Sequence, residues 1–504
     1  MSHPAEPRGW WERPVVWIAA VLLMAAPLVW PAFPPLNDMP EHIGRYHVAL
    51  ELSRSADLQR HWDFRWALIP NLGVDLAVMP LGRLVGAVMA AKLVVLLIPP
   101  LTALGLVLVA REATGRVPPT LGFALPLAYA YPFQMGFVNF ALATALALLA
   151  LAGWMRLGRD ARVWRRTLVF LPVSLVLWIA HSFGWGLFGL FAATVEALRR
   201  RREGARWPSA LAGGALVTAP LGWPALLMLG GGGEGLGASW EPVAKLVWVA
   251  SLLRDRWIWF DLLSAMLLVL VLYGAARSPR LRFDPVLGAL ALVAMATFLA
   301  LPRLLMGGAY VDMRMLPIAV ALALVAIRPA DNGKRTAGRL ALLGAGFFAE
   351  RLVATTISLA LAAQAQAEAL AVLPAIPRGA TLLVLVNEPC STAWDGNRLG
   401  HVAGIAVAKR DVFENGQWAL AGQQLIRPRH PELEPLRTDP SQLIRPDRCQ
   451  EHPLGFRQSI RRFDRHTVTH VWLIGFGAPR ALSPDLRLVW ANRRSALYRV
   501  RAAI

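Results

Sequence analysis

The chain has 504 residues, of which 56% are hydrophobic and only 17% are charged, and its mean hydropathy is +0.46. A soluble domain carries about a quarter charged residues, so this composition excludes an ordinary soluble protein and indicates a polytopic membrane protein. The formal net charge of +20 does not indicate a nucleic-acid partner, because many Lys and Arg residues fall in short loops between apolar segments and we find no nucleic-acid-binding motif.

Apolar segments predict about eleven transmembrane helices. The first has no cleavage-like small-residue site after it, so we predict an uncleaved helix rather than a signal peptide. Several segments are shorter than the roughly 20 residues that a transmembrane helix needs, so their boundaries are approximate. The eleven segments are 15–33, 89–110, 118–135, 138–156, 167–181, 183–198, 208–229, 257–275, 284–302, 314–328 and 339–362.

Basic residues before the first helix and after every second helix predict the orientation. The chain is expected in the inner (cytoplasmic) membrane. Because cytoplasmic loops carry an excess of Lys and Arg, its N-terminus is expected in the cytoplasm. The external segments are then the first loop 34–88, the segments 230–256 and 303–313, and everything after about residue 363. The basic residues are Arg8, Arg13, Arg111, Arg116, Arg156, Arg159, Arg162, Arg165, Arg166, 199–202, Arg277, Arg280, Arg282, Arg328, Lys334 and Arg335.

Residues 71–88 form an ambiguous apolar segment within the first external loop. A twelfth span here would reverse every later loop and place the basic clusters outside. We therefore predict an interfacial helix that lies on the outer surface of the membrane.

The composition changes near Leu373, where Pro374, Pro377 and Gly379 end the last apolar helix. The apolar run 381–386 predicts a buried strand, and 468–476 and 486–500 are further strand-like runs. The chain is thus expected to contain a transmembrane domain, 1–362, and a small extracytoplasmic α/β domain, 363–504. A Pro- and Arg-rich stretch of about 415–465 is expected to be largely irregular.

Cys390 and Cys449, the only cysteines, both fall in the C-terminal domain. In an oxidising compartment they are able to pair, and we predict a disulfide, with unpaired thiols as the alternative. Their spacing does not indicate a zinc site.

The polar run 36–47 follows the first helix directly. It contains Asp38, Glu41, His42, Arg45 and His47. Ionisable groups are costly to desolvate at a membrane surface, so several together indicate a site for a charged or polar ligand. The alternative is a solvated loop in which Asp38 caps the helix that begins at Pro40.

Two further polar residues lie at predicted external helix ends. Arg314 opens the tenth helix, where a guanidinium can bind a phosphate through two hydrogen bonds. The alternative is a snorkelling side chain that pairs with Asp312. His181 ends the fifth helix and is a candidate for substrate binding, with a packing role as the alternative.

This pattern resembles the GT-C superfamily of membrane glycosyltransferases, which includes protein mannosyltransferases and aminoarabinose transferases that modify lipid A. The resemblance covers about residues 15–330. Family members carry a catalytic Asp or Glu just after the first helix, a position that Asp38 matches, with Glu41 as the second acidic candidate. The run PNLGVDLAVMPLGRLVG, 70–86, looks like the interfacial helix of the family, and Arg314 occupies a place where related enzymes often hold the lipid phosphate. Adjacent acidic residues are frequent in better-known members, whereas here Met39 and Pro40 separate the two.

The resemblance implies transfer of a sugar from a polyprenyl-phosphate donor to a glycan, lipid or protein acceptor at the outer face. Asp38 would then be the general base, and Arg314 and Arg45 would balance the phosphate charge. His42 would orient Asp38 or, with Glu41, help to hold a divalent metal. Two or three ligands in one short stretch are a weak metal signal, so we predict no metal or other cofactor.

Two other functions stay open. A transporter or lipid flippase would carry charged residues along several mid-membrane helices and internal repeats. A non-catalytic membrane assembly protein would use the first loop as a docking surface, and Asp38 would then be replaceable.

Overall fold

A computed structural model describes residues 9–160, 162–228, 237–305, 308–330, 333–388, 394–396, 398–420, 423–445, 454–477 and 482–501. The predicted disulfide partners, Cys390 and Cys449, lie outside these ranges. The helices, in chain order, are α1 Pro14–Leu23, α2 Ala26–Val29, α3 Met39–Glu51, α4 Ala56–His61, α5 Gly73–Thr114, α6 Leu121–Ala124, α7 Tyr131–Gln134, α8 Val138–Asp160, α9 Val163–Ala180, α10 Ser182–Arg202, α11 Trp207–Thr218, α12 Pro242–Ala250, α13 Ile258–Arg277, α14 Pro285–Ala300, α15 Met315–Val325, α16 Lys334–Leu370, α17 Gly404–Arg410 and α18 Phe456–Arg462.

The apolar helices form a polytopic membrane domain, as the composition predicts. Among the described residues, six helical segments are long and apolar enough to cross a membrane, and α1–α2, α14 and α15 are shorter apolar helices. The helical membrane architecture is therefore confirmed, whereas the number eleven and the orientation stay predictions. The six segments are Gly73–Thr114, Val138–Arg159, Val163–Ala180, Trp207–Met228, Ile258–Arg277 and Lys334–Ala375.

The predicted span 118–135 is not one continuous helix. It consists of α6, a 3-10 helix over Leu125–Tyr129, and α7. Pro126 and Pro132 lie in the first turns of the 3-10 helix and of α7, and each lacks the N–H that a continuous helix requires. The expectation of a single spanning helix here was wrong.

Helix α5 is divided at Gly86, whose φ of 78° and ψ of 161° are not helical. A positive φ of this kind favours glycine. The residues before the break, 73–85, coincide with the predicted interfacial segment, and those after it coincide with the second predicted span. Asn139 on α8 holds the start of α5, since its Oδ1 accepts from the Val74 N–H at 2.6 Å.

A five-stranded sheet forms near the C-terminus, as the three apolar runs predict. In chain order the strands are β1 Trp62–Phe64, β2 Ala238–Ser239, β3 Leu281–Phe283, β4 Leu304–Leu305, β5 Gly308–Ala309, β6 Ile327–Pro329, β7 Leu382–Asn387, β8 Ile426–Pro428, β9 Leu443–Ile444, β10 His470–Ile474, β11 Leu486–Ala491 and β12 Ser495–Val500. The sheet has the order β11-β12-β10-β7-β9. Strands β7, β9 and β10 run parallel, and β12 is antiparallel to β10 and β11. We call residues 373–501, with α17 and α18, the sheet domain.

The first loop packs against the sheet domain. Strand β1 pairs with β8 in antiparallel register, with Asp63 opposite Arg427. Helix α3 packs on α17 so closely that a Cβ at Gly404 would lie 2.4 Å from the Pro40 carbonyl oxygen. Trp62 is buried with the core of the sheet domain. This contact brings the polar run after the first helix to residues near 400–440.

Candidate functional site

Asp38 lies at the start of α3, but its side chain caps no backbone N–H of that helix. Its backbone N–H donates instead to the Met135 carbonyl oxygen at 3.0 Å. Gly136 approaches so closely that a Cβ there would lie 2.8 Å from the Asp38 nitrogen, and its φ of +96° also favours glycine. The carboxylate of Asp38 is thus held in place by the backbone and is free to contact other groups.

The sheet domain places His401 between the two acidic residues of the first loop. His401 Nε2 lies 3.9 Å from Asp38 Oδ1, and His401 Nδ1 lies 3.5 Å from Glu41 Oε1. All three side chains are at least 87% buried. The predicted acidic candidates therefore meet around a histidine that the sequence analysis did not identify.

Asp439 adds a further carboxylate to this group. Its Oδ1 lies 3.9 Å from His401 Nδ1 and accepts a hydrogen bond from Gln442 Nε2 at 2.8 Å. Its Oδ2 accepts from Trp418 Nε1 at 3.0 Å. The Trp418 ring also packs on His401, with the ring centroids 4.7 Å apart. Asp439 and His401 are in this way fixed by neighbours within the sheet domain.

Glu414 is a fully buried carboxyl beside Glu41. Its Oε2 accepts from the Gly416 N–H at 2.6 Å. Burial and the neighbouring charge of Glu41 raise the pKa of Glu414 well above its usual value, which favours its protonated form. We call Asp38, Glu41, His401, Glu414 and Asp439 the Asp38 site.

The ionisation of the Asp38 site follows from burial and mutual charge. Burial raises the pKa of Asp38 to about 7, opposed by the charge of His401 and assisted by Asp439 and Glu41. Burial disfavours charged His401, but Glu41, Asp439 and Asp38 outweigh this effect and raise its pKa to about 10. At neutral pH, His401 is therefore an imidazolium, and Asp38 has the pKa that suits a general base working near pH 7.

Arg314 is turned into the protein rather than towards lipid. Its guanidinium carbon lies 4.5 Å from the ring centroid of Phe137, and its Nη2 donates to the Ala309 carbonyl oxygen at 3.0 Å. Asp312 instead pairs with Lys245 at 3.1 Å, so the alternative of an Arg314–Asp312 ion pair was wrong. Burial lowers the pKa of Arg314 to about 10, and the charge of Asp38 opposes that shift. Arg314 is therefore charged, and it lies close enough to Asp38 for the two charges to interact.

His181 and Arg314 lie within hydrogen-bonding distance of each other, and the role of His181 in this contact depends on its tautomer. The Phe183 N–H donates to His181 Nδ1 at 3.1 Å. Burial and the nearby Arg314 lower the pKa of His181 to about 3, so the ring is neutral, and when Nδ1 accepts from Phe183 the single proton is on Nε2. That atom lies 3.3 Å from Arg314 Nη1. In addition, Arg314 Nε is buried and no described residue accepts from it. We call Arg314 and His181 the donor pair, because its geometry suits an anion.

Arg45 and His42 lie beside the Asp38 site in different roles. Arg45 makes a two-bond ion pair with Asp75 on α5, at 3.0 and 3.1 Å, and donates to Gln424 Oε1 at 2.7 Å. Its donors thus tie α3 to α5 and to the sheet domain. His42 is buried, with its ring centroid 5.6 Å from that of Trp418, and burial and Arg45 lower its pKa well below the usual value. His42 is accordingly neutral and packs next to the site.

Among the described residues, no three His, Cys, Asp or Glu side chains are arranged to hold a metal ion. His401, Glu414, Asp439 and Trp418 are the site residues that the sequence analysis did not find. Trp418 and Asp439 lie in the Pro- and Arg-rich stretch expected to be irregular, Glu414 directly precedes it, and His401 lies before α17. One local pattern in the sequence could have indicated these residues. The segment 414–418 contains three polar side chains and a glycine, and it ends in tryptophan.

No protein-family model matches the chain, and no curated protein sequence matches it. Solved structures do resemble it. ArnT from Cupriavidus metallidurans, in a crystal structure bound to undecaprenyl phosphate, shares 13% identity over 97% of this chain and 98% of that chain, with a TM-score of 0.50. The apo-state crystal structure of ArnT shares 14% identity over 96% and 97% of the two chains, with a TM-score of 0.46. At this identity the likeness to the first of these structures shows the fold alone, which is ArnT-like.

Proposed function

We propose that this chain is a membrane glycosyltransferase that moves a sugar from a polyprenyl-phosphate donor to an acceptor hydroxyl. The observation that carries the proposal is that Asp38, whose pKa is about 7, lies close enough to Arg314 of the donor pair for their charges to interact. A base and an anion-binding site side by side are what this reaction requires. The ArnT-like fold, seen in ArnT with undecaprenyl phosphate bound, supports the same class of donor.

In the proposed reaction, the donor pair binds the phosphate oxygens of the lipid-linked sugar. The acceptor oxygen attacks C1 of the sugar while its proton passes to the carboxylate of Asp38. The bond between C1 and the phosphate oxygen breaks, and its electron pair leaves with the polyprenyl phosphate, so the configuration at C1 inverts. The charge of Arg314 stabilises the leaving phosphate. His401 stays protonated and favours the ionised form of Asp38 before the transfer.

Loss and restoration of one product class tests the proposed function. Cells that lack the chain should lose one class of surface glycan or glycolipid, and the wild-type chain should restore it. Mass spectrometry of the cell envelope would show the missing sugar and its acceptor. An unchanged envelope in these cells would favour a transporter or an assembly protein instead.

The variant Arg314→Gln should weaken binding of undecaprenyl phosphate to the purified protein by about tenfold or more, because a charge-assisted phosphate contact is lost. Thermal stabilisation of the protein by the lipid, measured over a concentration series, reports this binding. Undecaprenol, which has no phosphate, is the matched ligand and should bind the variant and the wild type equally. Equal phosphate-lipid binding by both proteins would remove Arg314 from the proposed donor site.

We also propose that the Asp38 site and the sheet domain lie on the outer side of the cytoplasmic membrane, as the basic loops predict. An alkaline phosphatase fused after Ile504 should then be active in a bacterial host. A green fluorescent protein fused at the same point should stay dark after export through the general secretion channel. The reverse pair of results would contradict this orientation.

A further inference from the structure

A polar cavity, separate from the Asp38 site, lies where the end of α16 meets the sheet domain. Its volume is about 360 Å³. Helix α16 forms one wall, and the turn between β11 and β12 and the segment around Arg398 form others. The charged and polar side chains that line it are Arg256, Gln364, Glu368, Asp395, Arg398, Arg493 and Arg494.

The lining carries an excess of positive charge. Arg493 and Arg494 share the carboxylate of Glu368, at 2.8 and 2.6 Å. Arg398 pairs with Asp255 at 2.6 Å. The remaining acid is Asp395, which lies 4.0 Å from Arg256. Four guanidinium groups thus face three carboxylates.

Two of these arginines have N–H donors that the neighbouring carboxylates do not use. Arg256 Nη1 lies 4.0 Å from Asp395 Oδ2, too far for a hydrogen bond, and 25% of the Arg256 side chain is exposed. Arg493 reaches Glu368 through Nη2, while 78% of its side chain is exposed. Guanidinium groups bind phosphate oxygens through paired hydrogen bonds. The cavity therefore suits an anion that carries a phosphate.

An apolar stripe leads from the cavity along α16. Val353, Ile357 and Leu361 follow one another at intervals of four residues, so they share one helix face. Their side chains are 58%, 48% and 42% exposed, and Leu361 also lines the cavity. A helix needs about 20 residues to cross a bilayer core, and the part of α16 from Arg339 to Leu361 is long enough to do so. Leu361 is accordingly placed near the membrane surface, with the stripe facing the acyl chains.

We propose that this cavity binds the phosphate headgroup of an anionic phospholipid whose acyl chains lie along the stripe on α16. The bound lipid bridges the membrane helix and the sheet domain. One wall of the cavity also continues towards the Asp38 site, because Arg398 Nη1 donates to the Pro35 carbonyl oxygen at 3.1 Å. Binding at this cavity does not depend on the proposed transferase activity.

Lipid retention by the full-length protein in native mass spectrometry tests the proposal. Phosphatidylglycerol should bind more tightly than phosphatidylethanolamine with the same acyl chains. The double variant Arg256→Gln and Arg493→Gln should weaken phosphatidylglycerol binding by about tenfold and phosphatidylethanolamine binding by less, because the ammonium group of the latter offsets the charge of its phosphate. Thermal unfolding in detergent, without added lipid, checks that the variant is folded as the wild type is.

The control variant Arg461→Gln and Arg487→Gln removes two exposed arginines of the sheet domain outside the cavity. It should retain phosphatidylglycerol as the wild type does. An equal loss in this control, or equal binding of the two lipids by the wild type, would overturn the proposal. So would competition by millimolar inorganic phosphate that fully displaces phosphatidylglycerol, since the cavity would then be a site for free anions.

Discussion

Replacing Asp38 by asparagine should reduce sugar transfer by about 10²- to 10⁴-fold, the usual contribution of a positioned general base. The amide has the same shape as the carboxylate but accepts no proton from the acceptor hydroxyl. Folding should persist, because the segment is held through backbone contacts such as that of the Asp38 N–H with Met135. The measurement is the amount of product per unit of chain, determined by mass spectrometry in membranes of cells that lack the natural copy.

Asp63→Asn provides the matched control for this prediction. Asp63 is also an acid of the first loop, but its neighbours are Arg65 and Arg429 and it lies outside the Asp38 site. Transfer by Asp63→Asn should stay within about twofold of the wild type, because an exposed ion pair contributes little. Full activity of Asp38→Asn would falsify the assignment of the base and favour the view that the chain is an assembly protein.

Replacing His401 by glutamine should move the acidic limb of the pH–rate profile to higher pH. The wild-type rate should rise as the pH passes through about 7, where Asp38 loses its proton. Without the imidazolium, Asp38 is left with the negative charges of Asp439 and Glu41, so its pKa rises further. Each unit of that rise lowers the ionised fraction about tenfold at a pH below the pKa. Transfer measured in proteoliposomes between pH 5 and 9 would reveal the shift.

The variant Asp439→Asn should move the same limb in the opposite direction. The negative charge of Asp439 raises the pKa of Asp38, so its removal should ionise Asp38 at lower pH. This pair of variants also separates charge from structural damage. Removing His401 leaves buried carboxylates without their partner, at a cost of roughly 3–5 kcal/mol, and the protein can unfold as a result. Shifts of the same sign in both variants, or no shift in Asp439→Asn, would contradict the electrostatic account.

The local patterns of the sequence predicted most of the elements correctly, and the failures have identifiable causes. The runs 381–386 and 468–476 are continuous apolar segments, and both became buried neighbouring strands of one sheet. The run 118–135 is equally apolar, but it forms three short helical segments. Hydrophobicity therefore indicated burial in both cases, but it did not show whether a continuous element would form, since α5 continues through Pro80, Pro99 and Pro100.

The sequence predicted the residues that the first loop contributes to the site but not those that the sheet domain contributes. Asp38 and Glu41 were identified because they follow the first apolar helix directly. His401 and Asp439 depend on the pairing of β1 with β8 and on the packing of α3 on α17, which are contacts between residues more than 350 positions apart. No local pattern in the sequence contains that information. For Arg45 the charge was evident, but its partner Asp75 lies 30 residues away, and only the fold shows how its donors are used.

The close packing of α3 on α17 has a consequence for how the protein is made. Synthesis delivers Asp38 among the first residues to emerge, whereas His401 and Asp439 appear only when four fifths of the chain exists. Under the proposed function, a nascent or prematurely ended chain would bind a lipid phosphate at Arg314 without the charges that set the ionisation of its base. Under that proposal, the ionisation of Asp38 reaches its final state only after the last domain has folded onto the first loop.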